Sequence, residues 1–194
     1  MSHLTPDDLY GLEEYAKIRG DFRSKVMAHK KTRQVPIGPN ATLYFEDRLT
    51  MQYQVQEMLR IERIFEQEGI AEELAAYNPL IPDGRNFKAT FMVEFPEVEE
   101  RREALTKLIG IEDKVWIRIG DYDRVFPIAD EDLKRDDETK TSAVHFLRFE
   151  LTDEMAASLK TVASLAMGID HPEYQHRVDP VDSAVRQSLS GDLA

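Results

Sequence analysis

The stretch "FKATFMVEF", Phe87 to Phe95, decides the fold class. Phe87, Ala89, Phe91, Val93 and Phe95 take alternate positions, with Lys88, Thr90 and Glu94 between them. Successive side chains of a strand point to opposite faces, so this pattern is a half-buried β-strand. The segment upstream of it has another period. In "LTMQYQVQEMLRIERIFEQEG", Leu49 to Gly69, the residues Met51, Val55, Met58, Leu59 and Phe65 share one face at about 100° per residue. That spacing predicts a helix from about residue 47 to 68, with Gly69 in the place of a left-handed C-cap.

Working outward, "LTPDDLYGL" offers Thr5 as an N-cap and Pro6 at the first helical position, opening a helix broken near Gly20 and ending about Lys31. "TLYFE" is a short strand, "IAEELAAY" is another helical turn or two after Gly69, and "NPLIPDGRN" is a loop by composition. Beyond the deciding strand, "PEVEERREALTKLIG" is an amphipathic helix and "KVWIRIGDYDRVFPIA" a hairpin turning at "GDYD". "SAVHFLRFEL" is the last strand expected, and Thr152 caps a helix over "DEMAASLKTVASLA". The sum is α+β: amino-terminal helices, then a small, mostly antiparallel sheet with helices packed on it. The chain divides into a helical part over 1–80, a sheet-containing part over 85–168 and a polar tail over 171–194 with a short helix expected in "DPVDSAVRQSL", read together as one domain.

Composition excludes several function classes. With no cysteine, the chain has no disulfide, thiolate nucleophile or cysteine-bound metal cluster. No apolar run approaches the roughly 20 residues of a membrane span, and the amino terminus has no secretory pattern, so a cytoplasmic protein is expected. A net charge of −12 argues against nucleic acid as a partner. That charge is uneven. Lys17, Arg19, Arg23, Lys25, Lys30, Lys31 and Arg33 face only Asp21 within residues 17–33, a net of +6 that leaves −18 elsewhere. This segment either lies on the protein's own acidic body or forms a partner-binding patch of Arg23, Lys25, Lys30, Lys31 and Arg33.

Two side chains stand out of place. Glu62 projects from the apolar stripe of the 47–68 helix, and an unpaired carboxylate there costs several kcal/mol, so burial implies a partner. His145 shares the more apolar face of its strand with Leu147, Phe149 and Leu151. Each is read as a structural, hydrogen-bonded residue or as part of a polar pocket with Arg48, Arg60, Gln56 and Glu57, serving as metal ligand or general base; a third reading for Glu62 is that the helix packs differently and leaves it exposed. His171, Glu173 and His176 form a weaker metal candidate through a single Glu-x-x-His spacing, which di-iron bundles use in pairs. No cofactor is called for, and phosphate loops and nucleophile elbows are absent.

The run from Val35 to Pro82, with "QVQEMLRIERI" its most recognisable part, resembles an uncharacterised bacterial family, domain of unknown function 3501; "TKTSAVHFLRFEL" and "HPEY" are similar to its carboxy-terminal half. The family pattern includes Gln56, Glu57, Arg60, Glu62 and Arg63 and assigns none of them a catalytic role. Its members are often encoded beside rubrerythrin and a heterodisulphide-reductase-type iron–sulphur oxidoreductase. The resemblance thus implies a non-enzymatic accessory protein with a redox partner. The alternative is a small-molecule enzyme or metal-binding protein whose pocket holds Glu62 and His145.

Overall fold

The computed structural model describes residues 3–133, 135 and 139–194. Its helices are α1 (Leu12–Lys30), α2 (Arg48–Glu62), α3 (Gln67–Tyr77), α4 (Val98–Lys107), α5 (Asp153–Thr161) and α6 (Ser183–Ser190). The strands are β1 (Gln34–Pro36), β2 (Ala41–Phe45), β3 (Asn86–Val93), β4 (Val115–Ile119), β5 (Ile128–Ala129), β6 (Val144–Glu150), β7 (Leu165–His171) and β8 (Tyr174–Val178). The protein is α+β, as the change of period at Phe87 implies. None of the described helices is long and apolar enough to cross a membrane.

The strands form two antiparallel sheets, ordered β1-β2-β3-β6-β5 and β4-β7-β8. Phe87, Ala89, Phe91 and Val93 all face the core. Opposite them on β6 stand Phe149, Leu147 and His145, paired in register with Phe87, Ala89 and Phe91. Both sheets line the same apolar cluster, which also takes Leu159 of α5, Val185 and Leu189 of α6, and Leu193. Hydrogen bonds among the described residues also join the sheets. Val125 exchanges backbone hydrogen bonds with Ile117 of β4 before the chain crosses to β5 in the other sheet. At the far side Tyr174 of β8 donates to the Ile37 carbonyl at 2.8 Å and accepts from the Asn40 N–H at 2.9 Å.

Four expectations need correction. The expected hairpin over 114–129 is one bridged pair followed by a change of sheet. The expected 47–68 helix ends at Glu62, with Arg63 in the left-handed region (φ 56°), and the helical segment expected from Ile70 begins at Gln67 as α3. The Leu59 carbonyl accepts from the Ile64 N–H across this turn, and Ile64 folds back onto the α2–α3 cluster. Gly69 lies inside α3, where a Cβ would stand 2.7 Å from Ile64 Cγ2; it gives room rather than a cap. α1 begins after a separate 3-10 turn, Pro6–Asp8, and runs through Gly20 without a break.

The fourth correction concerns the carboxy-terminal third. "SAVHFLRFEL" is not the last strand: β7 and β8 follow, and the expected helix over 153–166 stops at Thr161. β7 is buried on both faces from Leu165 to Ile169, so no alternation marks it. Residues 171–194, expected as a polar tail, hold the short helix expected there as α6, and they also supply β8 and the buried side chains of Asp192 and Leu193.

Candidate functional site

The polar residues of α2 bind the amino-terminal segment. Asp47 caps the helix by accepting from the Thr50 N–H, and Thr50 Oγ1 accepts from the Asp47 N–H. One turn and a half on, the buried Gln56 side chain bonds both backbone groups of Tyr10, accepting from its N–H and donating to its carbonyl. Glu57 accepts two hydrogen bonds from Arg19, each at 2.8 Å, one from the Tyr15 hydroxyl at 2.7 Å and one from Arg60 at 3.3 Å. Arg19, then Tyr15 and Arg60, hold the Glu57 carboxyl at about 2 against the opposing effect of burial. Arg48 pairs with Asp8 at 2.5 Å. These residues assemble the amino-terminal segment and α1 on α2.

Glu62 is not part of such a pair. It is exposed at the last position of α2, beyond Leu59, the last buried residue of the apolar stripe, and Phe65 is exposed too. The expectation of a buried, paired Glu62 fails for that reason.

His145 is fully buried. Its Nδ1 lies 2.6 Å from Asp130 Oδ2; its Nε2 lies 2.9 Å from Thr141 Oγ1, 3.1 Å from the Ser142 carbonyl and 3.7 Å from Glu112 Oε2. Asp130, in the left-handed region at φ 50°, also accepts from the Phe146 N–H and from Arg135. One imidazole therefore ties together both ends of the charged segment between β5 and β6. Glu62 is not among the groups around it.

The basic segment divides. Arg19 is committed to Glu57, Lys17 to Glu13, and Arg33, expected on a surface patch, is buried. Arg33 donates to Asp192 at 2.5 and 3.2 Å and to the carbonyls of Phe45 and Glu46 at 3.1 Å each; its Nε is 3.4 Å from Asp47, which also contacts His29. Burial works against the charged form of Asp47, yet Arg33, the Thr50 N–H and His29 together hold its carboxyl below the ordinary value. Asp192 goes the other way: desolvation outweighs Arg33 and raises it. Beside this network Glu46 accepts from Thr50 and Thr90 hydroxyls at 2.6 and 2.7 Å. Arg23, Lys25, Lys30 and Lys31 remain on α1 and its end without a carboxylate partner among the described residues.

The third metal candidate lies on the β7–β8 hairpin rather than a helix. His171 is buried, with Nε2 3.1 Å from the Ile109 carbonyl and Nδ1 accepting from the Glu173 N–H, while Glu173 and His176 are exposed. Among the described residues no group of three or more His, Asp or Glu side chains is placed to hold a metal ion.

A surface that sequence reading did not single out lies on residues 121–133. Val125 and Ala129 turn into the core, whereas Tyr122, Phe126 and Ile128, at alternate positions, turn outward with exposures of 38%, 48% and 45%. Leu133 follows at 64%. Among the described residues these are four of the nine exposed large apolar side chains, within twelve residues of sequence that run from the turn after β4 through the edge strand β5. Arg124, in the same outward row, lies 4.1 Å over the Trp116 ring and is bonded to Asp170. The signal was legible as alternation in "DYDRVFPIA", but a hairpin reading assigns that face no direction.

A family model described as "Protein of unknown function (DUF3501)" matches residues 3–193. Among solved structures, a crystal structure described as a novel protein of unknown function from Burkholderia pseudomallei K96243 is similar over 100% of both chains, with 52% identity and a TM-score of 0.94. No curated protein matches.

Proposed function

The chain belongs to the DUF3501 family, and we propose that it is a cytoplasmic, non-enzymatic accessory protein that docks on partners of a redox system. The observation that carries this reading is the set of exposed apolar side chains Tyr122, Phe126, Ile128 and Leu133, of which Ile128 lies on the edge strand β5 and the others on the segments flanking it. A contiguous apolar surface costs free energy in water and stabilises a complex when covered. The redox partner comes from the resemblance described above. The absence of cysteine fits an auxiliary role, since the chain itself holds no thiolate-bound cluster. A second docking surface is favoured by Arg23, Lys25, Lys30 and Lys31, whose charges meet no carboxylate within the described chain and suit an acidic partner. The enzymatic alternative loses its pocket, because Glu62 is exposed while His145 is enclosed and bonded at both ring nitrogens.

The test is affinity purification from the native host with three proteins: the wild type, Phe126→Ser/Ile128→Ser, and a charge reversal of Arg23, Lys30 and Lys31. All three should keep the wild-type melting temperature within a few degrees, since the changed side chains are largely exposed. A redox protein recovered with the wild type should be lost with the serine variant. Equal recovery with all three proteins would overturn the docking reading.

A further inference from the structure

The outer face of the five-stranded sheet carries a groove of about 690 Å³ at the ends of β3 and β6. Its floor is Met92 and Val144, paired in register and turned away from the core, and Pro39, Phe95 and Pro96 are among its walls. A volume of this size suits a small organic ligand, and the lining is largely apolar. One cation enters it. Arg101 of α4, half-buried, donates from Nη1 to the Phe95 carbonyl at 3.3 Å, and no carboxylate of the described residues reaches its guanidinium. The arginine is thus unlike Arg19, Arg33, Arg48, Arg118, Arg124 and Arg148, each of which meets an acidic side chain. The remaining charged group of the lining, Glu94, is engaged by the Tyr44 hydroxyl at 3.3 Å.

We propose that this groove binds a small apolar monocarboxylate, with its hydrocarbon part on Met92, Val144 and Phe95 and its carboxylate on Arg101. A half-buried guanidinium with spare donors is matched by a carboxylate, which accepts two parallel N–H bonds in one plane. The apolar floor supplies binding free energy at about 25 cal/mol per Å² covered, and it disfavours inorganic anions that cannot use it. The arginine discriminates against an alcohol of the same chain length, which brings no charge. A divalent acid is disfavoured by Glu94. This site is separate from the 121–133 surface, and its occupancy stands or falls independently of docking there.

The test uses protein labelled with ¹³C at the methionine methyl groups, the Met92 resonance being assigned from Met92→Leu. Octanoate should shift that resonance saturably, and octanol should bind at least tenfold more weakly. Arg101→Gln should weaken octanoate at least tenfold while leaving octanol unchanged. Val144→Glu, a half-exposed position whose replacement leaves Arg101 in place, should weaken octanoate to the same degree and keeps the test decisive if Arg101→Gln fails to fold. An unmoved Met92 resonance, equal binding of octanol and octanoate, or wild-type octanoate binding by either variant would overturn the proposal.

Discussion

Asp192→Ala should be among the most destabilising single substitutions in this protein. Arg33 is 2% exposed, and Asp192 takes two of its N–H groups, at 2.5 and 3.2 Å. Truncating the carboxylate leaves a buried guanidinium with Asp47 as its nearest anion, 3.4 Å from Nε. Removing one partner of a buried pair costs about 3–5 kcal/mol, a large share of the roughly 5–15 kcal/mol by which a domain is stable. Arg33→Met should cost at least as much, because the Phe45 and Glu46 carbonyls also lose a donor, at about 1–3 kcal/mol for each group left unsatisfied. Those two carbonyls make this pair different from an isolated one. Arg33→Met/Asp192→Leu should recover part of the loss but stay below the wild type, whereas a simple buried pair can be replaced at little cost. The pH dependence has a fixed sign. Desolvation raises the Asp192 carboxyl above 3.8 despite Arg33, so the folded state binds that proton more tightly, and its contribution to stability falls as pH rises through the raised value. The deficit of Asp192→Asn against the wild type should therefore be larger at acid than at neutral pH. Urea unfolding of each variant, followed by circular dichroism, measures all of this. An Asp192→Ala protein within about 0.5 kcal/mol of the wild type would refute the reasoning, since that is the effect of an ordinary surface change.

Two further outcomes follow from the same geometry. Glu57, held at about 2 chiefly by Arg19, contributes stability that is present above its unfolded value of 4.5 and lost as pH falls through 2; Glu57→Gln should flatten the acid limb of the melting curve and raise hydrogen exchange in α1, and an unchanged limb would sink that attribution. Gly168→Ala places a Cβ 2.3 Å from Trp116 Cζ2, so the indole must leave its place beneath Arg124. Overpacking of this kind costs about 1–3 kcal/mol, and the fluorescence of Trp116, the only tryptophan, should shift to the red; an unshifted spectrum would show that the ring has room.

What the sequence revealed and what it hid divide along one physical line. Phe87 to Phe95 and the His145 face of β6 were readable because one side of each strand is covered and the other is not, and a period of two needs that contrast. β7 lacks it: Leu165 to Ile169 are buried on both faces, and its Gly168 reads as a breaker when it is the floor beneath an indole. The α2 stripe gave Met51, Val55 and Leu59 correctly, yet the helix end was invisible because Arg63, not a glycine, takes the left-handed position. Glu62 was misplaced along with that end: it is the last residue of α2, past Leu59 where the buried stripe stops, and it meets water. Arg33 failed for a different reason. Local charge density groups it with Lys30 and Lys31, but its environment is set by Asp192, 159 residues away, arriving on the segment after α6. Gln56 and Glu57, by contrast, sit beside Glu62 in sequence and carry the contacts that Glu62 was expected to make. The polar character of "QVQEMLRIERI" belongs to holding α1, so a search for chemistry in this family should move from that helix to the exposed row at 121–133 and the groove at Arg101.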